Sequence, residues 1–265
     1  MEGYMSKNMI AVMKFKKYTP LINELVIRDL KVKYRHSFLG YLWSLINPLA
    51  MMCIMSLVFS YMFRFDIENY PLYVIIGQTL WTFFFEATNM AMSSIISNAS
   101  LIKKVYIPKF IFPISRVVSS FVTMSFSLMA IVIVMIVTRV SFGLHLLELL
   151  IPMLTLLVFC MGIGLILSAF AVYFRDMIHL YGVITTAWMY CTPIFWTLDV
   201  LPENLQKVLS YNPLFQYIDC FRVIVLEGTL LTSTQIAICF LYSILSVVVG
   251  LAIFYKMQRR FILYI

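Results

Sequence analysis

Residues 37 to 63 contain no Asp, Glu, Lys or Arg, and the same holds for 117 to 138, 149 to 174, 177 to 198 and 228 to 255. A further run, 69 to 102, is interrupted only by Glu86. Each is long enough for the ~20 helical residues that a bilayer core requires. Each is also continuously apolar, where a barrel strand would alternate over about 10 residues. The composition agrees: 62% of residues are apolar and the mean hydropathy is +0.94, far above the roughly 45–50% apolar content of soluble domains. The chain is therefore expected to be an all-α integral membrane protein, one domain over 1–265. Its six transmembrane helices are expected at 42–63, 72–94, 115–138, 148–172, 179–198 and 235–255.

Once those spans are drawn, the 20 basic residues fall mostly on one side. Only Arg64, Arg139, Lys207 and Arg222 fall on the other. The positive-inside rule then puts both termini in the cytoplasm. The net charge of +8 reads as this asymmetry plus attraction to anionic lipid heads, not as nucleic-acid binding. A polar, charged segment precedes the first apolar run, so no cleavable signal peptide is expected and the first span would itself target the chain. The 5 cysteines are scattered without a C-x-x-C pair, which disfavours a disulfide framework or a metal site.

Absent motifs exclude whole classes of chemistry. No Gly is followed by Lys, so there is no phosphate-binding loop. No His/Glu pair has metal-ligand spacing, and no span holds a carboxylate pair, leaving no constellation for a membrane enzyme of glycan assembly. Glu86 is the one carboxylate well inside a span. An acid there is costly enough to imply either a bundle hydrogen bond or a part in gating.

Several segments have mechanical character. Thr19 as N-cap and Pro20 at the first helical position predict a helix over 19–36. Its Glu24, Arg28, Lys31 and Arg35 form one stripe, and much of the remaining circumference is apolar. Such a helix is expected to lie on the membrane surface, apolar side down. The loop after the second span carries Pro108 and Pro113, which predict a short helix and a rigid turn. The last loop, 199–233, is too apolar for a solvent loop. Two short helices hinged at Asn212-Pro213 and re-entering the membrane or capping the bundle are expected there. Along the fifth span, Tyr181, Thr185, Trp188, Thr192 and Phe195 follow i, i+4, i+7, i+11, i+14. That one stripe of aromatic faces and hydroxyls suits either a sliding sugar chain or ordinary helix packing.

Together, "LVIRDLKVKYRHSFLGYLWSLINPL" (25–49), "NASLIKKVYIPKFIFPIS" (98–115), "YFRDMIHL" with "TPIFW" (173–196) and "NPLFQYIDCFRVIVLEG" (212–228) resemble the ABC-2 type permeases, in particular the branch that exports lipid-linked polysaccharides such as O-antigens and teichoic acids. The resemblance implies a six-span homodimer in the bacterial inner (cytoplasmic) membrane, paired with two copies of a separate ABC-type ATPase. ATP and Mg would be bound there, with no cofactor in this chain. It implies that the N-terminal helix is an interface element and that Leu101, Lys103, Lys104, Tyr106 and Pro108 belong to a coupling helix seated in the ATPase. It also implies that Arg28, Lys33, Arg35 and Tyr41 form a cytoplasmic gate meeting the phosphate of an undecaprenyl-linked glycan. Asn212, Pro213 and Arg222 would belong to an extracytoplasmic gate, and the fifth-span stripe would line the substrate path. The alternative function is an ABC-2 exporter of a small drug or free lipid.

Overall fold

The computed structural model describes residues 7–35, 40–62, 67, 69–105 and 107–264. Among them all regular structure is helical: α1 Lys7–Tyr34, α2 Trp43–Met62, α3 Tyr70–Ser97, α4 Ala99–Lys104, α5 Ile111–Val137, α6 Leu150–Tyr173, α7 Met177–Tyr190, α8 Glu203–Ser210, α9 Pro213–Arg222, α10 Ser233–Met257 and α11 Phe261–Tyr264. Among the described residues, four stretches are long and apolar enough to cross a membrane: Gly40–Phe59, Ile111–Val137, Leu144–Tyr173 and Ser233–Tyr264.

The central element is α3, which packs against α2, α5, α6, α7 and α9. Its apolar side chains from Leu72 to Ile95 are almost wholly buried, which is how a helix with several polar positions is shielded from lipid. Helices α6 and α10 make the closest pair. A Cβ on Gly162 would lie 2.3 Å from the Ser246 carbonyl carbon, and one on Gly250 would lie 2.4 Å from the Gly162 oxygen. Without side chains at these two positions the backbones touch, the small-residue packing that suits helices unable to use a hydrophobic driving force in lipid. Ser243 and Tyr217 add hydrogen bonds there: the Ser243 hydroxyl donates to the Thr155 carbonyl at 2.8 Å and Tyr217 to the Cys239 carbonyl at 3.0 Å.

Two expectations are corrected at the N-terminus. The first helix does not start at Thr19 but at Lys7, with Pro20 inside it. Proline has no N–H to donate, so the helical bond it would make to the carbonyl four residues upstream, at Lys16 in the polar KFKK stretch, is not formed. Nor does the whole apolar face lie on lipid, although Val32 stays 70% exposed. Ile22, Leu25 and Val26 are buried in one cluster with Ile102, Ile111, Phe112 and Phe261, so α5 and its neighbours cover that part of it.

The element expected over 179–198 is also shorter than predicted. Helix α7 has 14 residues and ends at Tyr190, about 21 Å at 1.5 Å per residue. Pro193 prevents its continuation, since proline disfavours helical backbone at the preceding residue and supplies no N–H.

Candidate functional site

On the side of the α1 C-terminus, Asp29 is buried and its Oδ1 accepts from Arg28 Nη2 and Arg116 Nη1, both at 3.1 Å. Arg28 Nη1 in turn donates to Asn98 Oδ1 at 3.2 Å. This cluster ties α1 to the end of α3 and the start of α5. Asp29, Asn98 and Arg116 were not singled out from sequence. The available signal was an acid spaced three, four and seven residues from Val26, Leu25 and Ile22 of the apolar face.

The four residues expected at a cytoplasmic gate divide between two places. Arg28, Arg35 and Tyr41 line one groove of about 690 Å³, together with Glu24 and Lys31. Lys33 leaves them and forms an ion pair with Glu86 of α3. The intramembrane acid thus has a cationic partner on α1.

That pair stands at a polar cleft of about 340 Å³ bounded by α1, α2, α3 and α5. Helix α3 contributes Gln78, Thr79, Thr82 and Glu86, α5 contributes Ser120, Thr123 and Ser127, and α2 contributes Trp43, Ser44 and Asn47. The 78, 82, 86 spacing puts three polar residues on one stripe of α3, and 120, 123, 127 does the same on α5. Several of these hydroxyls are occupied locally: Ser127 donates to the Ser44 carbonyl at 2.9 Å, joining α5 to α2, and Thr123 donates to the Ser119 carbonyl at 3.3 Å. Gln78 Oε1 and Thr79 Oγ1, in contrast, are buried with no hydrogen-bond partner among the described residues.

The stripe expected to line a substrate path faces inward. Tyr181, Thr185 and Thr192 are buried. Tyr181 donates to Thr88 Oγ1 at 2.6 Å. The Trp188 ring meets Trp81 and Phe84 edge-on, and its Nε1 donates to Asn212 Oδ1 at 3.1 Å. Phe195 lies beyond the end of α7, stacked on Phe59. Tyr181 and Trp188 thus pack on α3, Thr185 donates to the Tyr181 carbonyl of its own helix at 2.7 Å, and Thr192 accepts from Asn212, so within the single chain this stripe is engaged in packing, one of the two uses its spacing suits.

Beyond α7, the irregular stretch 193–196 has all four of its carbonyls held by side chains. Arg222 Nη1 donates to Pro193 O at 2.8 Å and Nη2 to Ile194 O at 3.0 Å. Tyr70 reaches Phe195 O at 2.9 Å and Tyr73 reaches Trp196 O at 2.8 Å. The Arg222 guanidinium also lies 3.4 Å from the Tyr73 ring centroid, in space left by Gly77, where a Cβ would come within 2.9 Å of Nη2. Asn212 caps α9, accepting from the Leu214 N–H at 3.1 Å and donating to Thr192 Oγ1 at 2.9 Å, with Pro213 next in the first helical turn. Of the three residues expected here, Arg222 and Asn212 thus anchor the segment through different partners. A π-helical turn, Val223–Glu227, extends α9 and ends at Gly228, whose φ of 67° favours glycine.

In the predicted coupling segment, α4 exposes Lys103 and Lys104 while Ile102 is buried and Leu101 packs on the same cluster. Pro108 follows, half-buried, and Tyr106 lies outside the described residues. Lys109 donates to the Gln258 carbonyl at 2.8 Å and sits over the Phe261 ring; burial pulls its pKa below the usual lysine value.

Residues 20–226 match the family model described as ABC-2 type transporter. The chain is 33% identical to an O-antigen export system permease protein, RfbA, of Klebsiella pneumoniae over 88% of its own length and 90% of that protein's. It is 30% identical to the protein of the same name from Myxococcus xanthus, over 80% and 83% of the two chains. It is 20% identical to the polysialic acid transport protein KpsM of Escherichia coli, over 88% and 92%.

Proposed function

The chain belongs to the ABC-2 type transporter family, and on that premise we propose that it is the permease subunit of an ATP-driven exporter that moves a lipid-linked polysaccharide, an O-antigen or similar surface glycan, across the bacterial inner membrane. The observation that carries this reading is the 33% identity over nearly the whole length of an O-antigen export permease. The groove of Arg28, Lys31, Arg35 and Tyr41 supports it: Arg28 is held by Asp29 and Glu24 shares the lining, but Lys31 and Arg35 still leave the groove net positive beside an aromatic ring, which suits the phosphate of an undecaprenyl-type carrier. Lys33, engaged with Glu86, is assigned elsewhere.

In this reading the protein works as a homodimer with two copies of an ABC ATPase, which binds ATP and Mg. The exposed Lys103 and Lys104 beside the buried Ile102 give α4 a surface suited to docking that partner. Both termini are cytoplasmic. Six crossings result when the 28-residue α3 and α7 with its following stretch are added to the four apolar stretches. α3, about 42 Å long, tolerates its polar positions because neighbouring helices enclose it.

Depletion of the protein in its own host tests this, with sugar analysis of lipid extracts and of the cell surface. Polymer retained on lipid inside the cell while the surface loses it is the expected result. Unchanged surface glycan with no internal build-up refutes glycan export and leaves a small-molecule or free-lipid exporter.

A further inference from the structure

The cleft between α1, α2, α3 and α5 is not part of the phosphate groove, and its polar groups are more than helix-to-helix glue. Interhelical hydrogen bonds that hold membrane helices together use up their donors and acceptors. Here Gln78 Oε1 and Thr79 Oγ1 remain without a partner among the described residues, although Thr79 is only 4% exposed. From Gln78 to Glu86 the polar stripe of α3 extends about 12 Å along the helix. The volume of about 340 Å³ is at the small end of the range for ligand sites, which begins at about 300 Å³.

The chemistry of the lining selects the occupant. Among the described residues its one cation, Lys33, is paired with its one carboxylate, Glu86, so these residues give the cleft no net positive charge with which to draw in a phosphate, and Glu86 would repel one. Neutral hydroxyls suit it instead: they can donate to Gln78 Oε1 and to the carboxylate and exchange hydrogen bonds with Thr79 and Thr82. Trp43, 49% exposed at the cleft, offers the aromatic face on which the C–H side of a sugar ring stacks. We propose that this cleft is a saccharide subsite, holding a neutral sugar unit of the cargo between the first helices of a single protomer, with the Lys33 and Glu86 pair at its boundary. The proposal rests on the glycan-export reading above.

The test places p-benzoylphenylalanine at Thr82 in the full chain, expressed in its own host with its partner. The control places it at Ile133, an exposed position on α5. After irradiation and purification, sugar analysis should find glycan attached at position 82 and not at 133. Combining Gln78→Leu with Thr79→Val should reduce that adduct about tenfold, the effect of losing one to two hydrogen bonds. Absence of glycan at 82, or equal capture at both positions, overturns the subsite. Should the bulky residue prevent accumulation of the protein, Thr82→Cys replaces it. Lipid extract from depleted cells should then slow methanethiosulfonate labelling of that thiol about tenfold relative to extract from glycan-free cells, and equal rates overturn the subsite. The depletion experiment separates the two failures. Internal glycan accumulation without capture sinks only the subsite, whereas normal surface glycan sinks the export reading and the subsite with it.

Discussion

Replacing Arg222 by Met should release the stretch that follows α7. The guanidinium supplies the partners of two consecutive carbonyls, Pro193 O at 2.8 Å and Ile194 O at 3.0 Å, with a longer contact to Tyr73 O at 3.3 Å. Hydrogen bonds from a charged donor contribute about 1.5–3 kcal/mol each, and a buried carbonyl left alone costs about 1–3 kcal/mol. Against this stands the desolvation of a 5%-exposed guanidinium, which the substitution relieves. The balance is a loss of about 3–5 kcal/mol, the size seen when one partner of a buried charged contact is removed. That is a large part of the ~5–15 kcal/mol that holds a typical fold. Arg222→Lys keeps the charge but not the fork, so it should recover only part of the loss. Equilibrium unfolding of the purified protein in mixed micelles, with rising SDS fraction, measures both variants. Hydrogen exchange should locate the loosening in 192–199 and 213–227. Wild-type stability in both variants would refute the account, and with it the idea that side chains make this irregular backbone tolerable.

Three further substitutions test the packing elsewhere. Gly162→Ala should cost about 1–3 kcal/mol or more, as overpacking does, because its Cβ would meet the α10 backbone at 2.3 Å; Gly182→Ala, inside α7 with nothing within 4 Å, should cost nothing and gain up to about 1 kcal/mol in the same unfolding assay. Asp29→Ala should detach the C-terminal half of α1 from α5, at a cost of about 1–3 kcal/mol once the partial exposure of Arg28 is allowed for; limited proteolysis within residues 19–35 that is no faster than in the wild type would contradict it.

The long apolar helices were legible because lipid imposes both a length and an absence of charge, and both can be read directly from runs such as 228 to 255. The face of α1 was legible too, but not what covers it: Ile22, Leu25 and Val26 would look the same against acyl chains as against Phe112 and Phe261. The same ambiguity governs the Tyr181, Thr185, Trp188 stripe. Helical spacing says which residues share a face and nothing about whether that face meets a cargo or α3. Pro193 was the available warning that the helix stops before Phe195. The cleft is a different case. The four-residue spacing of Gln78, Thr82 and Glu86 is visible in the sequence, as is that of Thr123 and Ser127. Their convergence with Lys33, more than forty positions away in the chain, is a property of packing alone. Arg222 finds its partners among backbone carbonyls, which a sequence does not distinguish from one another.

The stretch from the end of α3 to the first turns of α5 holds two distant parts of the chain. Asn98 and Arg116 hold Arg28 and Asp29 of α1, while Lys109 holds the Gln258 carbonyl just past α10. In kinematic terms that is one junction with two branches: Lys109 leads to the C-terminal turn, and Arg116 leads to the helix that carries Lys33 to Glu86. Were a partner to push on the exposed Lys103 and Lys104, the boundary of the polar cleft and the tail of the molecule would be the two places to look for a response.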